Sequence, residues 1–229
     1  MTFQINDPTR LEAVSVSDIV STHSLGRQSG YAGIGKRALD LLVVLLTAPI
    51  TLPLLALTAF IVALDGHSPV YVQNRVGRGG RIFRMFKFRS MVPNADHILE
   101  AHLDANPEAR AEWDHSQKLR HDPRVTRFGA LMRKCSLDEL PQILNVLIGD
   151  MSLIGPRPMM VGQTKLYPGS SYYSMRPGIS GLWQVTDRND TAFTARAQYD
   201  DQYFHNLSLA SDCLIIAKTF VVVFRGTGY

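Results

Sequence analysis

A chain of 229 residues with net charge +4, a pI of about 9.2 and 45% hydrophobic residues suits one domain of moderate size or a domain plus an anchor. Its two cysteines, Cys135 and Cys213, make no disulfide framework, which sets aside the small secreted scaffolds and points to a reducing compartment. The basic excess fits an anionic partner (nucleotide, phospholipid or nucleic acid) without choosing among them.

Residues 1–30 are rich in Ser, Thr, Asp and Gln and lead into Gly26, Gly30, Gly33 and Gly35, which predicts a disordered tail. No basic stretch is followed directly by an apolar core there, so no signal peptide is expected. From Leu41 to Leu64 the chain carries no charge. As helix this stretch is about 36 Å long, enough to cross a hydrocarbon core of about 30 Å. Length alone argues for a spanning helix. Pro49 and Pro53 fall in its middle, however, where they delete backbone hydrogen bonds and bend a helix. Both flanks are also basic, with Arg27, Lys36 and Arg37 before and Arg75, Arg78, Arg81, Arg84, Lys87 and Arg89 after. A single crossing cannot place both flanks in the cytoplasm. A re-entrant helix–break–helix over residues 31–66 satisfies both, and is the expectation; prolines alone do not forbid a spanning helix.

Residues 69–91 read as a β-hairpin. Val70–Gln73 is a strand, Gly77–Gly80 a turn and Ile82–Phe88 the return strand. Phe86 and Phe88 alternate with Lys87 and Arg89, giving an aromatic face and a basic face. The basic face suits either anionic lipid head groups or a phosphate clamp made by Lys87 and Arg89. Residues 94–120 are helical in pattern, with Pro107 as a first-turn proline after Asn106. His97, His102, His115 and His121 show no i, i+4 ligand spacing, so a solvated face is expected there.

From Asp122 the signals become dense. Asp122-Pro-Arg-Val-Thr126 predicts a turn into a helix through Phe128, Leu131 and Met132. Arg133-Lys-Cys-Ser-Leu-Asp-Glu-Leu-Pro-Gln142 then places the adjacent carboxylates Asp138 and Glu139 before the apolar run 143–148. The ordinary reading of Ser136-x-x-Glu139 is a capping box. Pro141 fits a helix poorly at its fifth residue and well in its first turn, so a start at Asp138 is the alternative. Either start puts both carboxylates at a positive helix end, which keeps them ionised, as an aspartate nucleophile in phosphoryl chemistry must be. Gly149 should end the apolar helix. Arg157, between Pro156 and Pro158, is presented with little loss of backbone freedom. Arg176-Pro-Gly-Ile-Ser-Gly181-Leu-Trp-Gln184 offers a further arginine, close-approach glycines and an aromatic platform. Two helical patterns close the chain, one with Tyr199 and Tyr203 at packing distance and one apolar over 209–224, read as interfacial. There is no P-loop, no zinc spacing, no recognised nucleic-acid module and no repeat.

The order of these features resembles the bacterial sugar transferase family, the monotopic phosphoglycosyl transferases that start polysaccharide assembly. The motifs that carry the likeness are Lys36-Arg-x-x-Asp40, Lys87-Phe-Arg-Ser-Met91, Asp122-Pro-Arg-Val-Thr126, Ser136-Leu-Asp-Glu-Leu-Pro-Gln142, Gly149-Asp-Met-Ser-Leu-Ile-Gly-Pro-Arg-Pro158, Arg176-Pro-Gly-Ile-Ser-Gly181 and Trp183-Gln184. They span residues 31–229. The short N-terminus resembles the minimal form, and the nearest likeness is to galactosyl-phosphate transferases of exopolysaccharide synthesis. Ser180 stands where threonine is usual.

The resemblance implies an α+β, mostly helical monotopic membrane protein. It would have a tail over residues 1–30, a re-entrant membrane helix over 31–66 and a cytoplasmic catalytic domain over 67–229 on the bacterial inner membrane. It implies transfer of a hexose-1-phosphate from a UDP-sugar (UDP-galactose, next UDP-glucose) to undecaprenyl phosphate, releasing UMP. Asp138 matches the nucleophile, and Glu139 its partner in handling Mg²⁺ or the acceptor, so both are the candidate metal ligands. Arg133 and Arg157 match phosphate-binding arginines, and Lys87, Arg89, Arg176 and Gln184 are candidate substrate contacts. Downstream glycosyltransferases are candidate partners, and a homo-oligomer is compatible with the chain. A non-catalytic membrane scaffold, with the carboxylates only capping a helix, and a peripheral nucleic-acid binder using the basic hairpin are the competing readings.

Overall fold

The apolar segment forms one helix. In the computed structural model, which describes residues 30–116, 119–186 and 193–225, a π turn over Tyr31–Gly35 leads into α1 (Lys36–Ala63), which passes through Pro49 and Pro53 without interruption. The expected break is therefore absent. Each proline removes only its own amide bond, and four residues apart the two defects share one face, so the helix can bend there without ending. The expected tail lies outside the described residues except for Gly30. Leu45, Leu46, Ile50, Leu52, Leu57 and Phe60 along α1 are exposed. α1 with its leading turn is long and apolar enough to cross a membrane.

Both ends of α1 pack on the same body. Near its start Val44 joins Phe83, Met85, Val146 and Met151; near its end Val62 joins Phe88 and Met132. Polar anchors reinforce the first contact. Asp40 Oδ1 accepts from Ser152 Oγ and Leu153 N, both at 2.9 Å. Lys36 Nζ donates to the fully buried Asp212 at 2.7 Å and to the Tyr203 hydroxyl at 2.9 Å.

The hairpin forms as the sequence indicates, from β1 (Val70–Val76) and β2 (Ile82–Phe88), with Val72 opposite Phe86 and Arg75 opposite Phe83. Gly79 and Gly80 take positive φ in its turn, where a side chain would be strained. The face carrying Lys87 is not a free basic surface. It is the core face, because Phe83 and Met85 on it are buried and Lys87 is its last position. Two helices, α2 (Ala95–Ala105) and α3 (Pro107–Ser116), pack on each other around Leu99, Leu103 and Leu119.

Thr126 caps α4 (Arg127–Lys134), its hydroxyl accepting from Gly129 N at 2.9 Å. α5 (Gln142–Ile148) ends at Gly149 with φ 101, as expected. Two short parallel strands follow, β3 (Ser152–Ile154) and β4 (Gly178–Ser180). A Cβ on Gly178 would stand 2.1 Å from Gly155 N; glycine is required because the two loops cross backbone to backbone. The chain closes through α6 (Ser171–Ser174), α7 (Leu182–Val185), α8 (Arg196–His205) and α9 (Leu209–Arg225). Tyr203, read as a packing residue, also donates to Asp212. Leu209, Leu214, Phe220 and Val221 of α9 are exposed while Ile215 is buried.

Asn145 of α5, fully buried, fixes the hairpin. Its Oδ1 accepts from Phe86 N at 3.0 Å and its Nδ2 donates to Arg84 O at 2.7 Å. Asn145→Leu should lower stability by about 2–4 kcal/mol, since it leaves a strand donor and acceptor unpaired in the interior. Thermal unfolding checks this; an unchanged midpoint would contradict it.

Candidate active site

The carboxylate pair is placed by a reversal that the capping reading did not anticipate. Ser136 has φ 56, in the left-handed region, and its side chain makes no cap. Leu137–Glu139 form a 3₁₀ turn, Pro141 precedes α5, and α5 begins only at Gln142. Neither expected helix start is realised. Ser136 makes no capping box, and the dyad precedes α5 rather than opening it.

Glu139 turns to two cations instead. Its Oε1 accepts from Lys87 Nζ at 2.9 Å and from Arg157 Nη2 at 3.2 Å. Lys87 arrives from the end of β2, and Arg157 from the Pro-Arg-Pro loop after β3. Asp138, beside it, is only 8% exposed. Burial pushes its carboxyl above the usual carboxylate range; Lys87 is the strongest influence opposing this, Glu139 adds to the rise, and Arg133 and Arg157 counter it. Burial thus overrides the ionising helix end expected from sequence. Arg133, in the last turn of α4, donates from Nε to Ser90 Oγ at 3.0 Å. A small cleft of about 20 Å³ opens here, lined by Arg75, Met85, Lys87, Glu139, Gln142, Arg157, Pro158, Gly178 and Ile179.

The structure therefore brings Asp138, Glu139, Lys87, Arg133 and Arg157 together. Three other candidates are engaged in holding the fold. Arg89 donates to Asp65 Oδ1 at 2.6 Å, to Val62 O at 3.2 Å and to Ser68 O at 3.0 Å, fastening the hairpin to the end of α1. It differs from Lys87 because β2 ends at Phe88, so strand alternation no longer carries its direction. Arg176 donates to Gly149 O at 3.0 Å, and the charges that act on it are Arg78, Arg37 and Asp40. Gln184, buried, donates to Ile179 O at 3.1 Å.

Two arginines outside the expected set matter here, one of them in the cleft wall. Arg75 lines it, and burial followed by Arg157 pushes its guanidinium down to about 10. Its signal was available: the hairpin register sets it opposite Phe83, on the core face. Arg196 lies over the rings of Trp183 (4.1 Å) and Phe193 (4.8 Å). Burial, then Arg157, pushes it down to about 9. Below it Asp200 accepts from Tyr167 at 2.7 Å, and burial pushes its carboxyl up to about 7.

Among the described residues no three His, Cys, Asp or Glu side chains gather into a metal cage. Asp138 and Glu139 are two adjacent hard-oxygen donors, a set that suits Mg²⁺ when phosphate oxygens and water complete its shell.

Residues 31–226 match the profile described as bacterial sugar transferase, and the chain belongs to that family. A UDP-galactose-lipid carrier transferase of Erwinia amylovora is 48% identical over 195 residues, covering 84% of this chain and 41% of that protein. An undecaprenyl-phosphate galactose phosphotransferase of Salmonella typhimurium is 44% identical over 195 residues, with 84% and 41% covered. The exopolysaccharide production protein ExoY of Rhizobium meliloti is 42% identical over 202 residues, with 86% and 88% covered. The chain thus spans 41% of the length of the Erwinia and Salmonella relatives and most of ExoY.

Because Asp200 has its carboxyl raised in the folded state, its contribution to stability is fully present at low pH and is lost as pH rises from about 4 through about 7. Asp200→Asn removes that dependence. The thermal midpoint of the wild-type chain, measured relative to that of the variant, should fall between pH 4 and pH 7.5; parallel profiles would contradict the assignment.

Proposed function

We propose that the chain transfers a sugar phosphate to a lipid carrier: hexose-1-phosphate from a UDP-sugar (UDP-galactose first, UDP-glucose second) to undecaprenyl phosphate. The observation that carries this is the carboxylate pair, Asp138 buried and Glu139 half-buried, with Lys87, Arg133 and Arg157 acting on it. The names of the relatives supply the class of donor and acceptor. A non-catalytic scaffold would not need a buried Asp138 that burial works against and cations hold in place.

Asp138 attacks the β-phosphorus of the donor. A bond forms between its carboxylate oxygen and phosphorus, the bond from that phosphorus to the bridging oxygen breaks, and UMP leaves with the bridging oxygen. The acceptor's phosphate oxygen then attacks the same phosphorus, giving the polyprenyl diphosphate sugar and freeing the carboxylate. A carboxylate approaching a diphosphate meets like charge. Arg157 and Arg133 offset it by charge-assisted bonds to phosphate oxygens, and Lys87 neutralises Glu139 so that the dyad does not repel the donor. Mg²⁺ would be held by Glu139 with Asp138 beside it, and supplies further charge neutralisation on the diphosphate.

The acceptor is a lipid, so the site belongs at the membrane surface. We place it on the cytoplasmic face of the bacterial inner membrane, with α1 dipping in and returning. That topology is supported by the packing on one body of Val44 and Val62, near the two ends of α1, since a helix that crossed the membrane once would carry its far end away from the domain that holds its start. The product would feed downstream glycosyltransferases of exopolysaccharide synthesis.

Two measurements test the reading. With UDP-galactose, undecaprenyl phosphate and Mg²⁺, the wild-type chain should release UMP. Asp138→Asn should lose at least about 10³-fold in turnover while staying membrane-bound; near-wild-type turnover in that variant would remove the nucleophile. Reporter tags at residues 1 and 229 should both read cytoplasmic, and a periplasmic tag at residue 1 would refute the dipping helix.

A further inference from the structure

We propose that Arg75 and Arg196 join Arg157 in a diphosphate subsite, Arg75 and Arg157 by direct contact and Arg196 as a positioning charge behind them. The proposal rests on the reading of the cleft as a nucleotide-sugar site.

Its first support is a charge imbalance. Arg75 and Arg157 line one cleft, and Arg196 acts on the same group, since Arg157 and Arg75 both push its guanidinium down. Among the described residues Glu139 is the one carboxylate within ion-pair distance of any of the three, and it already serves Lys87. Asp200 counters the cations at Arg196 in part, but it accepts from the Tyr167 hydroxyl, its own carboxyl is pushed up to about 7, and it makes no ion pair with Arg196 among the described residues. Gathering like charges away from water is costly unless an opposite charge arrives.

Unused donors are the second support. Arg75 spends its Nη atoms on Gln73 Oε1 and, at 3.4 Å, on Pro158 O, yet its Nε is buried with no acceptor among the described residues. Arg196 Nε is likewise buried and unaccepted, while its plane is fixed against Trp183 and Phe193. A guanidinium stacked in this way is held in orientation and keeps its fork for oxygen. The three positive charges that line the cleft, Arg75, Lys87 and Arg157, together with the unaccepted guanidinium donors, suit an anion of more than one charge with several oxygens. The diphosphate of a nucleotide sugar has that chemistry, and inorganic pyrophosphate is its simplest probe.

The test uses the full chain in nanodiscs. Pyrophosphate should raise the thermal midpoint of the wild type more effectively than orthophosphate or chloride at equal ionic strength. Arg75→Gln and Arg196→Gln should each weaken the apparent pyrophosphate affinity at least about 10-fold, about 1.4 kcal/mol, and raise KM for the UDP-sugar more than they lower kcat. Arg196→Lys should recover part of the affinity; should Arg196→Gln not fold, this variant and Arg75→Gln still decide the matter. A variant that melts lower but keeps wild-type pyrophosphate affinity and KM would make its arginine structural and overturn the proposal, as would equal effects of orthophosphate and pyrophosphate. Variant-sensitive pyrophosphate binding without UMP release from any UDP-sugar would leave the subsite standing and sink the nucleotide-sugar reading. UMP release with unchanged KM in both variants would do the reverse.

Discussion

The structure turns on the shared hold of Lys87 and Arg157 on Glu139. Two adjacent carboxylates, one 8% exposed, repel each other and lose hydration. They can sit there only if cations are delivered from elsewhere in the chain. Lys87 and Arg157 come from segments 70 residues apart in sequence, and Arg133 from a third. Each must be carried by rigid backbone, because a long cationic side chain on a loose loop would stay in water.

The rest of the fold can be understood as the means of delivery. The hairpin register puts Lys87 at the end of the face that Phe83 and Met85 bury. Asn145 then locks that strand to α5, the helix that directly follows the dyad. The crossing of Gly155 and Gly178 brings the loop bearing Arg157 against β4 and the cleft wall. At the far side, Lys36 and Asp212 join the first helix to the last. The apolar helix is thus part of the same packed unit as the site, so chemistry and anchor move together. On the proposed function a soluble donor and a lipid acceptor meet at one site, and that coupling is what they would require.

Much of this was legible in the sequence, and the misses have physical causes. The hairpin, the turn from Asp122 into α4 and the stop at Gly149 follow from local chemistry and appear as expected. The start of α5 does not, because Ser136 takes a left-handed conformation that local propensity disfavours; the dyad's contacts decide it. Lys87, Arg133 and Arg157 converge, whereas Arg89 is drawn to Asp65 because the strand stops one residue earlier. Arg75 and Arg196 were passed over because each looks like an ordinary basic residue until tertiary packing buries it. The continuity of α1 through two prolines shows the limit of treating proline as a stop in an uncharged helical stretch.

The central claim is that the side chain at position 138 becomes loaded with a phosphorylated sugar. Intact-mass spectrometry of the chain, mixed with UDP-galactose and Mg²⁺ but no lipid acceptor, tests it most directly. The account predicts an added mass of one hexose phosphate, released by undecaprenyl phosphate and absent from Asp138→Asn. Turnover to product with no loaded chain at any time, in a single direct displacement, would contradict it.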